Sequence, residues 1–167
     1  MRSLKDKGFT LIELLVVIVL LGVVTSFAVL SMGTSSDASE MKEEAKRLHA
    51  LIKLAQEESI IQAKEIAIEI KQQEYVFLEY KNKKWLPIKN VIFKKRKIRD
   101  IFFLRLEIEP KSEILKTEQS DALRIYLLSS GEQTPFKIRL MIKDKTRPYY
   151  YLSGYFNGKV TFDYVSE

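Results

Sequence analysis

The chain has 167 residues, 46% hydrophobic and 30% charged, a balance that excludes wholesale disorder and leaves about 130 residues after Met32, enough for one small domain. It contains no cysteine, which excludes disulfides, thiolate catalysis and cysteine metal sites. The net charge of +6, of which residues 1–8 supply +2, permits an anionic partner without requiring one.

Arg2, Lys5 and Lys7 open the chain, and the 19 residues from Leu14 to Met32 carry no charge. A helix of that length, at about 1.5 Å per residue, nearly crosses a hydrocarbon core of about 30 Å. The cations before it predict a cytoplasmic N-terminus and an exported C-terminal part. Glu13 is the anomaly, because a charge in a membrane helix costs about 2.5–3.5 kcal/mol on insertion scales and seeks a partner. An ordinary anchor, in which Glu13 snorkels to the interface, accounts for the length of the segment but not for the carboxylate. A secretory signal cut after Ala28, at the small-x-small site Ser26-Phe27-Ala28, leaves it equally unexplained. The string "KGFTLIELLVV" resembles the type III signal of the type IV pilin and pseudopilin superfamily, with its short basic leader, Gly, Phe, Thr-Leu-x-Glu and apolar helix. That resemblance implies a cut between Gly8 and Phe9 by a membrane prepilin peptidase, which then N-methylates Phe9. It also implies that Glu13 is an assembly charge meeting the Phe9 ammonium of a neighbouring subunit, a buried pair that specifies register more than it adds stability.

Beyond the apolar segment, Gly33-Thr34-Ser35-Ser36 loosens the chain, and Asp37 or Ser39 can cap a fresh helical stretch. Met41, Ala45, Leu48, Ile52 and Ala55 recur at spacings of four and three, an amphipathic face predicted to dock the helix on a sheet. The period then changes to two. Ile66, Ile68 and Ile70 predict a first strand, residues 75–80 a second and residues 85–88 a short edge strand, since Pro87 cannot donate to a ladder. Lys81-Asn82-Lys83-Lys84 is the turn between the last two. Further strands are predicted over 101–108, 122–128, 136–142, 149–152 and 160–164, with Asn157-Gly158 as a hairpin turn and 111–120 as a loop. In Tyr149-Tyr150-Tyr151, alternation predicts one core residue between two exposed ones.

Catalytic chemistry finds little support. His49 is the only histidine, and it sits in the amphipathic stretch without a second ligand cluster. Glu57 and Glu58 are adjacent, so a helix points them about 100° apart. No phosphate loop, H-E-x-x-H or G-x-S-x-G occurs. The expectation is therefore a non-enzyme without cofactor or metal. Lys94-Lys95-Arg96-Lys97 with Arg99 forms a basic patch that suits phosphate, acidic lipid headgroups or acidic protein neighbours. Phe93 is the only aromatic beside it, so a nucleic-acid stacking platform is thin and a solvated charged edge is the plainer reading.

A long N-terminal helix followed by an antiparallel β-sheet or sandwich domain is an α+β, pilin-like layout. Three patches resemble, more narrowly, the H-type minor pseudopilins of type II secretion systems: "EEAKRLHALIKLAQEESIIQAKEIAIEI", "YVFLEYKNKKWLPI" and "SSGEQTPFKIRL". Residues 91–120 depart most from the family. The organisation implied is a leader over 1–8, a transmembrane helix over 9–32, its amphipathic continuation over 33–64 and a β-rich periplasmic domain over 65–167. The implied setting is the bacterial inner membrane, single-pass, with membrane lipid, other minor pseudopilins, the major pseudopilin and the prepilin peptidase/N-methyltransferase as partners. The implied task is to sit at the tip of the periplasmic pseudopilus that drives export of folded proteins. The alternative keeps the fold and makes the chain a minor type IV pilin for DNA uptake or pilus priming, with residues 94–99 as its DNA contact.

Overall fold

The helix that ends in Ile61 stops for a local reason. Ala63 takes a left-handed conformation, φ 47°. Its amide donates to the Ile60 carbonyl at 3.2 Å, and the Lys64 amide to the Ser59 carbonyl at 3.0 Å, the paired bonds of a Schellman cap. The computed structural model describes residues 10–31, 37–108 and 123–166, with the side chains of 25–31 also outside the description. Gly8, Phe9, the 33–36 loosening and the 111–120 loop therefore lie outside the described residues. The chain divides into two compact units near Asp37. The first contains α1 (Leu11–Ser31) and the second everything from α2 (Asp37–Ile61) onward.

In the second unit, α2 buries Met41, Ala45, Leu48, Leu51, Ile52, Ala55 and Ser59 on one face. Its outer face carries i,i+3 ion pairs, Glu43 with Lys46 at 3.1 Å and Glu44 with Arg47 at 2.7 Å. Nine strands follow among the described residues. One sheet contains β1 (Ile66–Ile70), β2 (Glu74–Lys81), β3 (Lys84–Pro87), β4 (Arg96–Lys97) and β6 (Arg124–Leu127), in the order β3-β2-β1-β6 with β4 beside β3 along the same edge of β2. The other contains β5 (Phe102–Ile108), β7 (Phe136–Ile142), β8 (Tyr149–Gly154) and β9 (Val160–Val165), in the order β5-β7-β8-β9. Every pairing is antiparallel.

Alternation sorts the faces. Ile66, Ile68, Ile70, Tyr75, Phe77, Ile125 and Leu127 of the first sheet, and Phe102, Leu104, Phe136, Ile138, Leu140, Tyr150 and Leu152 of the second, join the apolar face of α2 in one core. Burying a side chain of this size stabilises the fold by about 1.5–3 kcal/mol. Tyr150 is buried between half-buried Tyr149 and Tyr151. The β2–β3 hairpin turns on Asn82 and Lys83, both at positive φ, the two-residue turn whose twist matches that of its strands. The β1–β2 turn stitches the two sheets together, because the carbonyls of Gln72 and Gln73 accept the amides of Leu104 and Ile98 at 2.8 and 2.9 Å. Arg96 and Lys97 form a strand where the sequence suggested only a charged loop. Pairing with Glu74 and Tyr75, rather than any alternation of their own, puts them there.

Candidate assembly surfaces

At the start of α1, Thr10 and Glu13 close a reciprocal cap. The Glu13 amide donates to Thr10 Oγ1 at 3.4 Å, while Thr10 N and Oγ1 both donate to Glu13 Oε2 at 3.3 Å. This is the capping box, and a carboxylate in the first turn also favours the helix dipole. Its signal, Thr-x-x-Glu, stands in the sequence but escapes notice when Glu13 is weighed only as a membrane charge. The second carboxylate oxygen, Oε1, takes no hydrogen bond among the described residues. Around it α1 is apolar on every side and uncovered, from Leu11 at 84% exposed to Val17 at 42%. A helix that is apolar all round requires an apolar environment from outside the chain. Side chains are described only as far as Val24, and among the described residues no helix is long and apolar enough to cross a membrane. The α1 backbone runs 21 residues, about 31 Å at the helical rise.

Met41, Ala45, Leu48, Ile52 and Ala55 are all at most 1% exposed, beneath both sheets. Beside them lies a polar node that sequence reasoning missed. Gln133, 2% exposed, donates through Nε2 to the carbonyls of Tyr155 at 2.9 Å and Lys159 at 3.2 Å. Gln56 on α2 donates to Gln133 Oε1 at 2.6 Å and to the Gly158 carbonyl at 2.8 Å, and Ser59 reaches the Leu128 carbonyl at 3.3 Å. The stretch "SSGEQTPF" is thus the lock between the end of α2 and the β8–β9 hairpin. Gly158, at φ 80°, lies so close that a Cβ there would meet the Gly131 carbonyl oxygen at 2.7 Å. No signal in the sequence separates Gln56 and Gln133 from the exposed glutamines.

His49 packs its ring 5.8 Å from that of Phe162, with Nε2 buried and without a hydrogen-bond partner. Among the described residues no three acidic or histidine side chains converge on a metal position. Glu58 takes Lys64 at 3.0 Å.

Three of the five cations of the basic run meet carboxylates within the domain. Lys95 pairs with Glu74 at 2.9 Å, Lys97 with Asp100 at 2.9 Å, and Arg99 with Glu40 on α2 while lying over the Phe102 ring. The hydrogen bond from Lys95 holds the Glu74 carboxyl below its ordinary range against an opposing desolvation, and Lys71 adds a lesser lowering. Arg96 donates to the Ile92 carbonyl at 3.3 Å, and Lys94 is exposed. Nearby, the buried Tyr75 hydroxyl donates to Glu44 at 3.1 Å, and burial first, then the Glu44 carboxylate, pushes its pKa up.

An apolar helix opening on a half-used carboxylate, joined to an amphipathic helix locked on antiparallel sheets, defines a pilin-like subunit. The model of the prokaryotic N-terminal methylation motif matches residues 3–29. Type II secretion system protein H of Pseudomonas aeruginosa is 34% identical over 143 residues, covering 81% of this chain and 83% of that one. The protein of the same name from Aeromonas hydrophila is 27% identical over 157 residues, covering 87% and 86%. The chain belongs to the type II secretion system protein H family and is a minor pseudopilin. Solved structures agree in fold: the minor pseudopilin EpsH of Vibrio cholerae superposes with a TM-score of 0.62 at 22% identity, covering 75% of this chain and 97% of that one. The type IV minor pilin FimU of P. aeruginosa superposes at 0.53 with 12% identity, covering 78% and 92%, so this fold is common to secretion and pilus subunits.

Proposed function

We propose that the chain is made as a prepilin, cut between Gly8 and Phe9, N-methylated on Phe9, and held in the inner membrane by α1 with its β domain in the periplasm. Together with other minor pseudopilins it caps a filament of major pseudopilin, and its contribution to export is mechanical and organisational rather than enzymatic. The observation that carries this reading is the half-satisfied Glu13 on a helix apolar all round. Among the described residues one carboxylate oxygen caps the helix and the other takes no hydrogen bond, which leaves it open to a cation. Cleavage creates such a cation, the new amine of Phe9, on every neighbouring subunit. The pilus alternative has less behind it, because Lys95, Lys97 and Arg99 already face carboxylates.

Glu13→Gln tests the role cleanly, because glutamine at this position keeps the capping box and removes only the charge. Cleavage after Gly8 should proceed normally, read by intact mass, while recovery of the chain in cross-linked tip complexes falls by more than about tenfold. Undiminished recovery would remove Glu13 from assembly.

A further inference from the structure

The loop between β3 and β4 is built to hold two aliphatic side chains in solvent. Phe93 turns inward at 1% exposed and packs its ring 5.1 Å from Phe77. On its other side Val91 is 82% and Ile92 46% exposed. The tip is braced by the Ile92 amide donating to Asn90 Oδ1 at 2.9 Å and by the Arg96 guanidinium on the Ile92 carbonyl at 3.3 Å. Lys89 and Lys94 flank it, both exposed and without an ion pair among the described residues. Residues 89–99 hold six cations and no acid. Among the described residues Glu74, Asp100 and Glu40 answer three of these, and Lys89, Lys94 and Arg96 have no ion pair.

The position of this edge matters as much as its chemistry. Strand β4 pairs with Glu74 and Tyr75, the Tyr75 hydroxyl meets Glu44, and Arg99 meets Glu40. The loop therefore leads into the part of the domain beside the first turns of α2, and Glu40 follows Ser31, the last residue of α1, by nine residues in the chain. We propose that the β3–β4 loop docks on the anionic lipid surface of the membrane that holds α1, with Val91 and Ile92 entering the interfacial layer and Lys89 and Lys94 meeting headgroup phosphates. This rests on the reading of α1 as the membrane anchor. Exposed aliphatic side chains ringed by lysine are the combination that an anionic bilayer interface rewards, each lysine adding electrostatic attraction.

The absence of cysteine makes the test direct. Full-length Val91→Cys carrying an environment-sensitive fluorophore is reconstituted in vesicles of phosphatidylglycerol and phosphatidylethanolamine, or of phosphatidylcholine alone, each containing a headgroup-level lipid quencher. Phe156→Cys, on the β8–β9 hairpin, serves as the control site. The label at 91 should be quenched in the anionic vesicles and the label at 156 should not. Adding Lys89→Gln and Lys94→Gln should lower the ratio of docked to undocked loop roughly twenty-five-fold, about fivefold for each lysine. Chain that co-floats with vesicles but shows equal quenching at 91 and 156, or equal quenching in both lipids, overturns the loop proposal alone. Shielding at 91 that needs added pseudopilins and brings no lipid quenching overturns it in favour of a protein neighbour. Failure to co-float at all overturns the anchor reading beneath it.

Discussion

Ala63 holds a left-handed φ of 47° at the helix cap, where a side chain is strained and glycine is not. Ala63→Gly should therefore stabilise the domain by about 0.5–1 kcal/mol in urea unfolding, the reverse of the usual effect of introducing glycine. Gln133 is the opposite case, a surface-type residue that the core depends on. Gln133→Leu keeps the volume but removes one of two hydrogen bonds from each of the Tyr155 and Lys159 carbonyls and the Gln56 amide, and should cost about 1–3 kcal/mol in the same measurement. Single residues differ sharply in legibility. The capping pair Thr10 and Glu13 is readable because its members stand three apart. Gln56 and Gln133 meet across 77 positions, and nothing local to either side chain announces the other.

For whole elements, legibility follows period. Strands β5, β7 and β9 alternate apolar and polar residues over most of their length, β8 opens on three tyrosines, and the predicted spans of all four lie within two residues of the observed ones. Helix α2 buries Leu51 and Ser59 beside the residues picked out by spacing, because it packs beneath two sheets and a wider stripe is covered than a single contact line needs. Ile52, fully buried at the centre of that stripe, should cost about 2–5 kcal/mol when cut to alanine, whereas Lys53→Ala on the exposed side should stay within about 0.5 kcal/mol. Equal effects in thermal unfolding would mean that α2 does not carry the domain. Strand β4 has no pattern to read: Arg96 and Lys97 are strand only because the Glu74 end of β2 offers an unfilled edge and a carboxylate.

Across the whole molecule, the buried Tyr75 ties stability to alkaline pH. Its folded pKa is raised above the ordinary value near 10, chiefly by burial. Its contribution is therefore complete below about pH 10 and declines above it, as the unfolded chain ionises and the folded one resists. Unfolding free energy should fall by up to about 1.4 kcal/mol per pH unit from this group, and Tyr75→Phe should remove that part of the slope. An unchanged slope would place the pH dependence on other groups, Tyr150 among them, whose hydroxyl burial also shifts upward. The sequence by itself determined the α+β class, the order of the helices and of every described strand but β4, and membership of the pseudopilin family, because hydrophobic period and a contiguous N-terminal motif are local properties of a chain. Only the tertiary structure decided which carboxylates answer the basic run, that two glutamines lock α2 to the β8–β9 hairpin, and that Val91 faces solvent while Phe93 does not. Those outcomes depend on which ordinary side chains the fold brings within 3 Å of one another, over separations that no local pattern records.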